Sequence, residues 1–170
     1  MNALSIQDTI VLNKELSFPR NGMICAHPRR VKRIAEEFMT NAELHTDYRD
    51  YQIYTGLYDK KEIFVANTGI GAPAAAFLIE ELVAFGAKKI VRLGSNDSSF
   101  EGYKLSLVRD TKLPSGLIKD YGVKFSQVSI YDYMDFVITL KAMKLNIPLE
   151  YVKNYHVDGY YAGFRNRRGS

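Results

Sequence analysis

Arg92 stands directly after the apolar pair Ile90 and Val91 and is followed by Gly94 and Ser95, so a strand would deliver a guanidinium and a hydroxyl to a glycine turn. A forked cation, a hydroxyl donor and free backbone N–H groups are what an oxyanion needs. Two other stretches carry the same chemistry. AHPRR at 26–30 places Arg30 just inside a helix that would begin at Pro28, and TGIGAP at 68–73 sets glycines at a second helix start. Each has a plainer use when taken alone. Arg92 also suits a structural pair with Asp97, Arg30 a solvated helix face, and His27 a turn or capping position.

The elements that must position these groups follow from periodicity. MICA at 23–26 reads as a strand, and RRVKRIAEEFM repeats Val31, Ile34, Ala35 and Phe38 at helical spacing. Pro28 falls where a helix tolerates a missing N–H. YQIYTGLY and EIFVANT, parted by Asp59, Lys60 and Lys61, read as a hairpin. AAAFLIEELVAFG is a strong helix with Gly86 at its C-terminal cap, and AKKIVRLG returns as a strand. KLSLV at 104–108 is a candidate strand, 109–130 is poorly patterned, YDYMDFVITLKAMKLN is a helix and PLEYVKNYHVD a last strand. Two strand, turn, helix units in series imply an α/β fold with a mainly parallel twisted sheet flanked by helices. In such sheets ligands gather beyond the carboxyl ends of strands, where AHPRR, NTGIGAP and RLGSND would all lie.

Composition narrows the classes. The 170 residues suit a single domain, and 46% hydrophobic with 25% charged residues is that of a soluble globular chain, not a disordered or fibrous one. The net charge of +4 is partly carried by FRNRRGS, where Arg165, Arg167 and Arg168 read as a solvated basic tail rather than a nucleic-acid contact. One cysteine, Cys25, in an apolar stretch points to a reduced, cytoplasmic setting. No apolar run approaches the ~20 residues of a membrane helix, and the first residues lack a signal peptide's pattern. His27, His45 and His156 are too far apart in sequence to suggest a metal site, and no G-x-S-x-G elbow is present. TGIGAP lacks the third glycine and the later acidic residue of a dinucleotide fingerprint. Acid–base chemistry has no candidate from pattern, so the catalytic residues stay unassigned.

Taken in order, AHPRR, YTG at 54–56, GIGAPA and RLGS resemble the G-D-P-x-R loop, Y-T-G hairpin, G-x-G-x-P-S turn and R-x-G-[ST] loop of the purine nucleoside and uridine phosphorylase family. EELVAFGAKKIVRLGS is the most specific piece, and HVDGYYA is similar to the family's S-x-D-x-F-Y segment. The likeness is strongest over 22–100, weaker to 161, and leaves 162–170 as the tail. It implies a shortened nucleoside phosphorylase-like fold acting on a nucleoside with inorganic phosphate as co-substrate, and no other cofactor. Phosphate contacts would come from Ala26, Arg30, Arg92 and Ser95. Arg49 matches an arginine that family members lend to a neighbouring subunit, which implies a homodimer or larger homo-oligomer. Ile70 falls where a side chain packs on the ribose, and Tyr160 where an aromatic stacks on the base.

The chain departs from the family at four points. Ala26 and His27 replace the loop's glycine and aspartate, and Asn96 and Asp97 replace small residues after RLGS. No E-M-E segment occurs for the ribose hydroxyls before the chain stops at Ser170, and no aspartate maps onto the family's general acid. No histidine precedes His27 to serve a neighbour's ribose. The rival to an enzyme is therefore a non-catalytic nucleoside-binding, phosphate-binding or oligomerisation protein derived from the same fold.

Overall fold

A computed structural model describes residues 5, 9–12, 17–95, 105–112, 116–122, 127–129 and 133–155, and divides the chain into two compact units, Met1–Asp97 and Ser98–Ser170. In the first, β1 (Asn21–Cys25) turns at Ala26 into α1 (Pro28–Phe38). His27 caps that helix, its Nδ1 accepting from the Arg29 N–H at 3.1 Å, and Pro28 takes the first position as its missing donor favours. Val31 and Ala35, one turn apart, are fully buried, whereas Phe38 is 59% exposed. The helical period had placed Phe38 on the inner face, but the helix ends there and Met39 takes the core position instead. Arg33–Glu37 and Lys32–Glu36 pairs lie on the solvent side.

The strands β2 (Thr40–Tyr48), β3 (Tyr51–Tyr58) and β4 (Lys61–Asn67) follow, joined by two-residue turns at Arg49–Asp50 and Asp59–Lys60. All four turn residues have positive φ, the signature of the type I′ turn that matches strand twist. α2 (Ala72–Ala84) closes in a Schellman motif: Gly86, at φ 94°, donates to Val83 O and Ala87 to Leu82 O. β5 (Lys89–Arg92) completes a five-stranded sheet in the order β2-β3-β4-β1-β5, with β4, β1 and β5 parallel and the hairpin strands antiparallel. The expected α/β class and hairpin are present; the sheet is parallel where the three candidate loops leave it.

Alternation along the strands sends each helix to its own face. Val65 and Cys25 point to the α1 side, packing with Val31, Ala35 and Met39. Phe64, Ala66 and Ile24 point to the α2 side with Leu78 and Leu82, joined by Ile53 and by Val11 and Leu12 of the N-terminal segment. Gly22 is required between β4 and β1, because a Cβ there would collide with the Phe64 carbonyl oxygen and ring.

A bulge in β2 between Leu44 and Thr46 buries two consecutive side chains, His45 and Thr46. His45 Nδ1 lies 3.0 Å from Thr46 Oγ1, the ring meets Phe18 edge-on at 5.3 Å, and Nε2 has no hydrogen-bond partner among the described residues. Burial holds this imidazole below its ordinary pKa of 6.5. As pH falls through about 6.5 the unfolded chain therefore takes the proton before the folded one, so stability drops with falling pH and levels once both forms are protonated. Urea midpoints measured from pH 8 to pH 5 are expected to show this slope, and His45→Leu is expected to flatten it.

In the second unit β6 (Leu105–Lys112), α3 (Leu117–Asp120), β7 (Gln127–Ser129), α4 (Tyr133–Lys144) and β8 (Leu149–Tyr155) form a three-stranded sheet, order β7-β6-β8, with β6 and β8 parallel. β6 runs four residues beyond the expected KLSLV. Arg109 joins β6 to α4 through Asp135 Oδ2 at 2.9 and 3.0 Å and lies 3.3 Å from the centroid of the Tyr151 ring.

Candidate functional site

Register decides which loops meet. β1 lies between β4 and β5, with Cys25 level with Asn67 and Ile24 level with Arg92. Both ladders extend by one more bond, Thr68 N–H to Cys25 O at 2.9 Å and Leu93 N–H to Ile24 O at 2.8 Å. The loops at 26–27, 68–71 and 93–95 consequently leave the same sheet edge side by side. β3 is antiparallel to β4, so the Arg49–Asp50 turn that opens it stands at this edge too.

Arg30, in the first turn of α1, and Arg92, the last residue of β5, stand on elements adjoining the end of β1. The Cys25 thiol, fully buried at the end of β1, is pushed up by desolvation, while the charges of Arg30 and then Arg92 and the His27 backbone N–H pull it the other way. Arg30 is half-buried and Arg92 exposed, and among the described residues Arg92 makes no ion pair. Asp97, its candidate partner, and Asn96 lie outside the described residues.

Ala26, half-buried between β1 and the cap, does not enter the left-handed backbone region, so the loop accepts alanine and keeps its N–H. Gly69 and Gly71 do enter it, at φ 69° and 94°, and Gly71 serves as the N-cap of α2 without a side-chain bond. Between them Ile70 stands 93% exposed. Ser95 is exposed after Gly94. Tyr160, expected over the base, lies outside the described residues, as does the 162–170 tail.

Gly94 is packed against the Arg92 head group: a Cβ there would stand 2.5 Å from Nη1 and 3.1 Å from Cζ. Only the end of a flexible side chain opposes it, so Gly94→Ala is expected to fold normally while displacing the guanidinium. A phosphate titration should show about tenfold weaker binding at a melting temperature within about 2 °C of the parent.

Two residues that sequence patterns did not single out hold this edge together. Asn67, 2% exposed, accepts from the Gln52 N–H through Oδ1 at 2.5 Å and donates through Nδ2 to the Asp50 carbonyl at 2.9 Å. Tyr51 donates its hydroxyl to Ala74 O at 3.0 Å, and its ring stacks on Phe77 at 5.8 Å. Desolvation, reinforced by Glu81, raises the phenol. The only sequence signal for Asn67 is a polar residue ending an apolar strand. Arg49 itself is exposed, its Cζ 5.5 Å from the centroid of the Tyr48 ring. Among the described residues no three His, Cys, Asp or Glu side chains are grouped to hold a metal, and no helix is long and apolar enough to cross a membrane.

Comparison with known proteins agrees with this geometry. The chain is 31% identical to a DeoD-type purine nucleoside phosphorylase of Tolumonas auensis over 157 residues, covering 88% of this chain and 65% of that protein. It is 33% identical to the DeoD-type enzyme of Haemophilus ducreyi over 142 residues, covering 79% and 58% respectively. It thus spans less than two thirds of the length of these relatives. Its fold superposes on Toxoplasma gondii purine nucleoside phosphorylase in complex with immucillin-H with a TM-score of 0.82 at 24% identity, over 95% of this chain and 66% of that one. Uridine phosphorylase from Vibrio fischeri gives 0.77 at 24% identity, over 99% and 74%. Residues 20–104, which hold all three candidate loops and the Arg49 turn, match the model of the phosphorylase superfamily, and the chain belongs to that superfamily of purine nucleoside and uridine phosphorylases.

Proposed function

We propose that the chain catalyses phosphate-dependent, reversible cleavage of a nucleoside to a free base and ribose 1-phosphate. The observation that carries the reading is the register that sets the ends of β4, β1 and β5 side by side, with Arg92 closing β5 and Arg30 in the first turn of the helix that follows β1. Phosphate would be held by the two guanidinium forks, the Ser95 hydroxyl and the Ala26 N–H, with Arg49 supplied by a second copy in a homodimer or larger assembly. The bond from the sugar carbon to the base nitrogen breaks with its electron pair leaving on the base, and a phosphate oxygen then forms the new bond to that carbon. The dianion stabilises the oxocarbenium-like sugar between the two events, the charge pattern that glycosyl transfer shares. Ile70 would pack on the ribose and Tyr160 stack on the base. Inorganic phosphate is the co-substrate and no further cofactor is invoked. A single buried cysteine fits a cytoplasmic location.

Purine nucleosides are the first substrates to test, because the relatives are named purine nucleoside phosphorylases. Purified chain, incubated with purine and pyrimidine nucleosides with and without phosphate, is expected to release base only when phosphate is present. Phosphate-induced thermal stabilisation without base release would instead assign the site to binding alone.

A further inference from the structure

We propose that Asn67 is a positioning residue for Arg49: it locks the β2–β3 turn so that the arginine is presented from the phosphate edge. The inference rests on the role given to Arg49 in the proposed function. Arg49 and Asp50 hold φ values of 51° and 64°, a backbone region uncommon for residues other than glycine, and neither is the Asn-Gly pair that makes such a turn by itself. Asn67 bonds the backbone immediately after Arg49 and at the start of β3.

Asn67 lies at a joint. Its backbone is in register with Cys25, next to the loop that carries Ala26 and leads into the helix of Arg30, and the following residue continues that ladder by donating Thr68 N–H to Cys25 O. Its side chain bonds to the β2–β3 hairpin. Oδ1 takes the Gln52 N–H and Nδ2 donates to the Asp50 carbonyl, so one amide grips the chain on both sides of Tyr51, immediately after Arg49. A buried amide that uses an acceptor and a donor on two backbone groups of one turn fixes distance and orientation together. Aspartate would lack the donor, and leucine or alanine would leave both turn groups without their partner. Tyr51, tied to Ala74 and stacked on Phe77, holds the same turn against α2. The turn that carries Arg49 is therefore fastened to the strand and the helix that carry the other candidate loops.

The test compares Asn67→Ala, Arg49→Ala, the double variant, and Asn67→Ala combined with Asp50→Gly, using the full chain. Phosphate affinity is read by titration and by the phosphate KM of nucleoside cleavage. Amide hydrogen exchange is read at the two tight turns. Asn67→Ala is expected to speed exchange at Gln52 at least tenfold while leaving the Asp59–Lys60 turn unchanged, and to weaken phosphate about tenfold with kcat little altered. The double variant should be no weaker than Arg49→Ala, since a residue acting through Arg49 has nothing left to position. Asp50→Gly, which accepts positive φ without steric strain, should restore most of the lost affinity. Unchanged phosphate affinity in Asn67→Ala, or full additivity with Arg49→Ala, overturns the inference while leaving the proposed function intact. An affinity indifferent to Arg49→Ala removes the role of Arg49, and the positioning role falls with it.

Discussion

Arg92→Ala is expected to lower kcat/KM for phosphate by about 100-fold and to abolish phosphate-induced thermal stabilisation, with little change in the melting temperature of the free protein. The size follows from the removal of a charged donor aimed at an anion whose charge matters most in the transition state, typically worth ~10²–10³ in rate. The small stability effect follows from exposure: Arg92 closes a strand without an ion pair among the described residues, and its head group rests on Gly94. Arg92→Lys restores charge but not the fork, so it should recover only part of the loss. A phosphate titration followed by steady-state kinetics separates the cases. Activity within a few-fold of the parent would exclude Arg92 from the anion site. Loss of folding would show that the guanidinium's packing matters more than its charge.

The same register that places Arg92 explains how much could be read from sequence. The three loops were legible because each follows a short apolar run and is marked by Pro28, Gly71 or Gly94, and parallel strands with helical crossovers must bring such loops to one edge. His27 was legible as a cap. β2 was not, because its two register shifts break the alternation that identifies a strand, and most of TNAELHTDY faces solvent at the sheet margin. With β2 unseen, Arg49 could be placed only by resemblance. Its turn has no glycine, and the residue that holds the turn, Asn67, comes 18 positions later in the chain. Side-chain bonds of that kind leave no periodic trace. The segment from 109 to 130 gave little pattern for a related reason: β6 has a register shift against β8 after Val108, and α3 has only four residues.

Glu81 is the plainest case of a residue hidden by its surroundings. In AAAFLIEELVAFG the adjacent Glu80 and Glu81 interrupt an apolar helix, yet Glu81 is 1% exposed and lies with Leu78 and Leu82 in the core. Its partners are 70 residues away. Oε1 accepts the Ile10 N–H at 2.6 Å, and Oε2 accepts those of Val11 and Leu12 at 2.8 and 3.2 Å. One carboxylate thus satisfies three successive backbone donors that burial would otherwise leave without partners, while Val11 and Leu12 fill the α2 side of the core. Removing it strands the donors and unseats those two side chains together. Glu81→Ala is accordingly expected to cost about 3 kcal/mol, a fall of roughly 6–12 °C in melting temperature for a chain of this size. Glu81→Gln should lose about 2 kcal/mol, because its amide keeps one acceptor and turns an N–H₂ toward donors. Amide exchange at Ile10, Val11 and Leu12 should rise in both variants far more than exchange in β1 or β4. Nucleoside cleavage assayed well below the lowered melting temperature should stay within a few-fold of the parent, since the carboxylate is bound to the N-terminal segment and not to the proposed phosphate site. A loss confined to stability would identify Glu81 as the clamp of the N-terminal segment. A melting temperature unchanged by Glu81→Ala would show that this segment is held by its apolar side chains alone.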